Sequence, residues 1–222
     1  MVIYIKPFNW PEVTKFDRLQ AVKYFVIHHS AYKGDIDIWK IHGLFLDKTT
    51  QVPVYEWHLA NDWKGVGYHF LIRKNGDIEG GRPDWAQGAH VLGYNNVSLG
   101  ICVAGDFRYE TPEPAQIQSL IELILYLWQN YPAAKVVRHM DLSPTECPGP
   151  NFPWEDFQVR LRQAKDEAEK VKEYIVSPDA EIEEAVRLAR EKGLSKAPKG
   201  WDYTKPLSEE RFWVIIKRLM RW

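Results

Sequence analysis

Along residues 22–27 the chain reads Val-Lys-Tyr-Phe-Val-Ile, a β-branched and aromatic run that predicts a buried strand. This strand delivers His28 and His29 to its end. Successive strand side chains face opposite ways, so only one of the two shares a face with Tyr24 and Val26, and that one is His28. Residues 34–54 show little periodicity; we expect a short helix around 36–46, a polar turn through Asp47, Lys48, Thr49 and Thr50, then a helical turn at 55–58. Residues 67–73 alternate as a strand, and Asn75-Gly76 is a hairpin signal that turns the chain into a second strand at Ile78 and Glu79. The run 98–105, Ser-Leu-Gly-Ile-Cys-Val-Ala-Gly, predicts a central strand buried on both faces.

Helical spacing takes over after Pro112 and Pro114. Ile117, Leu120, Ile121, Ile124, Leu125 and Trp128 form an apolar stripe that Tyr131-Pro132 ends. Residues 135–138 then predict a short strand that places His139 at its end. Residues 156–175 read as a charge-rich helix. Ser177-Pro178 looks like a helix N-cap with proline at the first position, followed by an apolar stripe of Ile182, Ala185, Val186 and Ala189 that stops at Gly193. Ser208 caps a last helix, in which Leu207 faces Phe212 while Val214, Ile215, Ile216 and Leu219 pack inward. Strands alternating with helices predict an α/β domain, a central mixed β-sheet flanked by helices, with a small helical C-terminal module. We place the catalytic domain at 1–160, a helical linker at 161–176 and the module at 177–222.

Composition narrows the class. The chain has 222 residues, 45% apolar and 27% charged, enough for one enzyme-sized domain and an appendage, and it has no apolar stretch long enough to span a bilayer. A formal net charge of -1 offers no clustered basic footprint for phosphate backbones, so nucleic acid is not expected as a partner. The first residues lack the charged start, apolar middle and small-residue cleavage site of a secretory signal, which predicts synthesis in a bacterial cytoplasm. Two cysteines, Cys102 and Cys147, allow one bridge at most and read better as a core residue and a metal ligand. Ten tryptophans exceed what the core needs, and exposed indoles can stack on sugars.

The candidate chemistry lies in His28, His139 and Cys147. Zinc accepts imidazole nitrogen and thiolate sulfur, and a catalytic zinc commonly keeps three protein ligands and one open position. His139 and Cys147 are joined by a proline-containing loop, while His28 arrives from a distant strand. His29 stands beside it as an alternative fourth ligand of a closed site, which strand alternation disfavours. His42 and His58 read as hydrogen-bonded structural histidines, and Cys102 as a small buried hydrophobe.

Four blocks occur in order: Phe25-Val26-Ile27-His28-His29-Ser30, Gly67-Tyr68-His69-Phe70, Gly88-Ala89-His90-Val91-Leu92-Gly93-Tyr94-Asn95, and Arg138-His139 followed by Cys147-Pro148-Gly149. Together, across roughly residues 20–155, they resemble the type 2 N-acetylmuramoyl-L-alanine amidases, a family that takes in T7-type phage lysozymes and animal peptidoglycan recognition proteins. The resemblance implies the peptidoglycan recognition protein-like amidase fold and one zinc ion per chain held by His28, His139 and Cys147. It implies hydrolysis of the amide between N-acetylmuramic acid and L-alanine in bacterial peptidoglycan. It places Tyr68 beside the metal as a catalytic hydrogen-bond donor, and Thr145 where relatives carry a lysine or a threonine. His69, His90 and Asn95 match positions that line the muropeptide groove, with a turn-capping role open for Asn95.

Cys147 and the apolar central strand set the chain apart from muropeptide-recycling relatives, which use an aspartate ligand and a glutamate from that strand. This points to a phage or prophage endolysin that reaches the wall after release. Two other readings remain: a non-catalytic peptidoglycan receptor, whose members usually lack the cysteine, and a recycling amidase. The tail from Ser177 weakly resembles an S-layer-homology repeat, which would bind the cell wall; a packing or dimerising helical pair is the alternative.

Overall fold

The register of two neighbouring strands brings the candidate ligands together. In the computed structural model, which describes residues 3–9, 15–45 and 65–176, strand β2 (Tyr24–His29) is buried from Phe25 onward. It pairs in parallel with β5 (Ser98–Val103) on one side and β6 (Lys135–Arg138) on the other. Ile27 lies opposite Arg138. The next residue in each case is a histidine, so His28, still on β2, and His139, just past the end of β6, lie side by side at the C-terminal ends of parallel strands, the edge where open α/β sheets place ligands.

The sheet continues beyond β5 through β3 (Phe70–Ile72), β4 (Ile78–Gly80) and β1 (Ile5–Lys6), giving the order β1-β4-β3-β5-β2-β6. β3 runs parallel to β5 and antiparallel to β4. The β3–β4 turn is the Asn75-Gly76 hairpin; Gly76 has φ +89, and its amide donates to Arg73 O at 2.9 Å. β5 is buried throughout, as a strand with neighbours on both edges and cover on both faces must be.

Helix α1 (Ile38–Phe45) falls within the expected 36–46. Ile38 and Ile41 join Ile36, Val66, Leu71, Cys102 and Ala104 in one apolar cluster, against which Tyr68 packs. Cys102 is the register partner of His28, so this cluster lies on the face of the sheet that carries His28. Phe25, which alternation places on the other face, meets Tyr131 edge-on just past the end of helix α2 (Pro114–Asn130). α2 buries Ile117, Leu120, Ile121, Leu123, Ile124 and Leu127, each fully buried side chain of this size being worth about 1.5–3 kcal/mol. Its first turn is pinned to the sheet because Gln116 Nε2 donates to Ala104 O at 2.8 Å and to Ile72 O at 3.3 Å.

Residues Tyr4–Phe157 form one compact unit. Helix α3 (Trp154–Val176) begins within it, with Phe157 fully buried. A second unit takes residues 158 onward together with Met1–Ile3; of it the structure describes Ile3 and the rest of α3, in which Leu161, Ala164 and Ala168 are buried. The expected helical turn at 55–58 with His58, the helices expected beyond Ser177 and the S-layer-homology likeness lie outside the described residues. No described helix is long and apolar enough to cross a membrane.

Candidate active site

Just beyond β6, a single 3-10 turn (His139–Asp141) carries His139 toward β2, and the chain returns through Thr145 to Cys147. One donor atom from each of His28, His139 and Cys147 lies within 4.8 Å of the others, the one such group of metal-ligating type among the described residues. The His28 and His139 rings are 4.6 Å apart between centroids, and Cys147 Sγ is 3.8 Å from His28 Nδ1. β6 has ended at this level, so the His29 amide has no strand partner on that side; it donates to Cys147 Sγ at 3.5 Å. The loop bearing the cysteine is tied down by Met140 N–H donating to Cys147 O at 2.9 Å and by the Arg138–Asp141 ion pair at 2.8 Å. Gly149, at φ +106, presses on the Phe107 backbone so closely that a Cβ would sit 2.5 Å from its carbonyl carbon.

The electrostatics favour a cation. Burial, followed by the proximity of His90, His139 and His29, holds His28 well below the ordinary histidine range, and burial lowers His139 too. Both imidazoles are therefore neutral at neutral pH and offer lone pairs. Burial pushes the Cys147 thiol up to about 12, with the His29 amide pulling the other way, so its proton leaves only when a positive ion replaces it. Two neutral imidazoles and one thiol converging on a point are a donor set suited to zinc.

Tyr68 stands beside this group, its ring 5.2 Å from that of His28, and burial raises its phenol well above its usual range, keeping it a hydrogen-bond donor. Thr145 is exposed, and its Oγ1 accepts from the Cys147 amide at 3.3 Å. His90 is in contact with the cluster, its Nδ1 3.0 Å from His28 Nε2. Asn95 Oδ1 accepts from the amides of His90 and Val91 at 2.8 and 2.9 Å, which is the turn-capping geometry. His69 has 0% exposure; its Nε2 donates to Ala86 O at 2.8 Å, and its Nδ1 accepts from Gly100 N–H at 2.9 Å. Both nitrogens of His69, a position expected from sequence to line the muropeptide groove, are thus engaged by backbone. His29 points away from the cluster, its Nδ1 accepting from Phe107 N–H at 3.1 Å. His42 is buried and accepts from Val66 N–H at 3.4 Å.

Residues 18–150, more than half of the chain, match the family model described as N-acetylmuramoyl-L-alanine amidase. The chain belongs to this amidase family. Among curated relatives, the endolysin of Klebsiella phage KP32 is 35% identical over 139 residues, covering 60% of this chain and 85% of that protein. Among solved structures, the N-acetylmuramoyl-L-alanine amidase LysC from Clostridium intestinale aligns with a TM-score of 0.61 at 35% identity, covering 72% of this chain and 99% of that one. Peptidoglycan recognition protein-LE, solved in complex with tracheal cytotoxin, aligns at 0.57 and 26% identity, over 70% of this chain and 92% of its own. The amidase is thus a hydrolase of carbon–nitrogen bonds with the mixed six-stranded sheet of these neighbours.

Three further residues pack around His90 beside the cluster, and none was a candidate from sequence. Gly100, inside β5, and Gly88 flank the His90 ring; a Cβ on either would lie 2.6 Å from its Cγ or 2.4 Å from its Cδ2. Ser98, fully buried, faces His90 Nε2 at 3.4 Å. A glycine interrupting an otherwise apolar strand signals a close approach, and Gly100 carried that signal. Nothing local to Ser98 or Gly88 did.

Proposed function

We propose that the chain is a zinc-dependent peptidoglycan amidase of the endolysin type, cutting the amide between the lactyl group of N-acetylmuramic acid and the L-alanine of the stem peptide. The observation that carries this reading is the convergence of His28, His139 and Cys147. These three would hold the ion. A bound zinc supplies a Lewis acid for the scissile carbonyl and lowers the pKa of an attacking water to about 7. Around it, Tyr68 would donate its phenolic proton to the carbonyl oxygen as that oxygen gains charge, an interaction stronger in the transition state than in the ground state. Thr145 would be a second, weaker donor, since the bond it accepts from Cys147 does not use its own hydroxyl proton. The identity of the third ligand favours wall cleavage over muropeptide recycling, and its presence disfavours a receptor without activity.

The kinship to phage endolysins supports a role in host lysis, with synthesis inside the bacterium and action on the wall after release, and peptidoglycan as the partner. The test is turbidity loss of purified walls, with newly exposed L-alanine amine counted before chelation, after it, and after zinc is restored. Amine release that stops with chelator and returns with zinc is expected. Wall binding without any new amine would leave the receptor reading, and cleavage of soluble muropeptides alone would leave the recycling one.

A further inference from the structure

One carbonyl fixes the direction of a hydrogen-bond chain that ends at the metal cluster. Tyr94 O can only accept, and Ser98 Oγ donates to it at 2.7 Å. The single Ser98 proton is thereby committed, so Ser98 Oγ meets His90 Nε2 at 3.4 Å as an acceptor, and His90 carries its proton on Nε2. A neutral imidazole has one proton, which makes His90 Nδ1 an acceptor. His28 Nε2, 3.0 Å away, is then the donor. The consequence is a bare lone pair on His28 Nδ1, the nitrogen that faces Cys147 Sγ at 3.8 Å.

The His90 ring is held for this task. Gly88 and Gly100 flank it at distances no side-chain carbon could share, and Asn95 Oδ1 grips its backbone amide and that of Val91. With its nitrogens facing His28 and Ser98, the ring has neither left to read a substrate. We propose that His90, anchored through Ser98 to Tyr94 O, is a positioning residue that locks His28 in the one tautomer and ring orientation presenting Nδ1 to the metal. The proposal rests on the zinc reading above. Outer partners of this kind orient ligand histidines and raise their basicity.

The test measures the zinc dissociation constant by competition with a chromophoric chelator, alongside thermal unfolding of the metal-free protein and KM and kcat on walls. His90→Phe keeps a ring and removes the acceptor; zinc affinity is expected to fall about 10- to 100-fold. His90→Asn can return an acceptor oxygen to the place of Nδ1 and should recover most of that loss. Ser98→Ala, which frees the His90 tautomer, should weaken zinc binding by a smaller factor and covers the case in which His90→Phe does not fold. Zinc affinity unchanged in a folded His90→Phe with KM raised would overturn the proposal in favour of substrate contact. Asn no better than Phe at equal stability would also overturn it. Failure of the wild type to bind zinc, or undiminished zinc binding by Cys147→Ala, would instead overturn the metal reading itself and this proposal with it.

Discussion

Two polar clusters, each with a buried residue at its centre, lie in the same sheet and are built on opposite principles. On β4, Glu79 is 2% exposed, yet it accepts from the Ile38 amide at the start of α1 at 2.7 Å, accepts from Arg73 at 3.2 Å, and lies 3.7 Å from Lys6. Arg73 in turn donates to Asp35 at 3.0 Å. Donors and acceptors there answer one another. At the ends of β2 and β6, by contrast, His28, His139 and Cys147 turn donor atoms toward a common point, and no described carboxylate joins them. A cluster that satisfies itself holds the fold; one that leaves lone pairs converging is arranged for something from outside.

Substitutions sharpen this contrast. Cys147→Ala should cut amide hydrolysis roughly a thousand-fold or more, because a Lewis acid is worth several kcal/mol and each 1.36 kcal/mol is tenfold, while thermal unfolding of the metal-free protein changes little. Activity within tenfold of wild type would show that the three converging groups do not act through a shared ion. Tyr68→Phe should lower kcat by about 10²–10³ with KM nearly unchanged, as expected for a donor used only in the transition state. In the saturated cluster the pattern should invert. Glu79→Gln is expected to cost about 1–3 kcal/mol of stability, read by denaturant midpoint, with zinc content intact.

The next effect is a slope. Burial, opposed by the bond to Ala86, lowers His69 to about 4, below the 6.5 of an unfolded histidine. The unfolded chain then takes up a proton that the native chain refuses, so this contribution makes the metal-free protein less stable as pH falls from 6.5 toward 4. His69→Gln should flatten part of that dependence. Thr145→Ala should have the smallest effect, below about tenfold in kcat, because an exposed hydroxyl stabilises charge weakly compared with a buried donor.

Much of the fold was legible because its signals are local. The β-branched run before His28, the Asn75-Gly76 turn and the apolar stripe of α2 each announce their element within a few residues. β1 did not, since a two-residue strand, Ile5–Lys6, is too short for any period and owes its existence to a partner more than seventy positions away. Within the site, alternation was enough to separate His28 from His29, whose Nδ1 takes the Phe107 amide instead. It does not reach the partners of His69 and His90, which come from β5, from Ala86 and from glycines that only the folded sheet brings to them.

The pairing of Ile27 with Arg138 acts as a ruler. A strand advances about 3.3 Å per residue and reverses its face at every step, so a slip of one position would carry His139 out of reach of His28 and aim it at the far side. The spacing of these two groups is thus set by backbone pairing rather than by any loop. Insertions between the strands can be absorbed without disturbing it, and for an engineer β2 and β6 are the segments to transplant as one block.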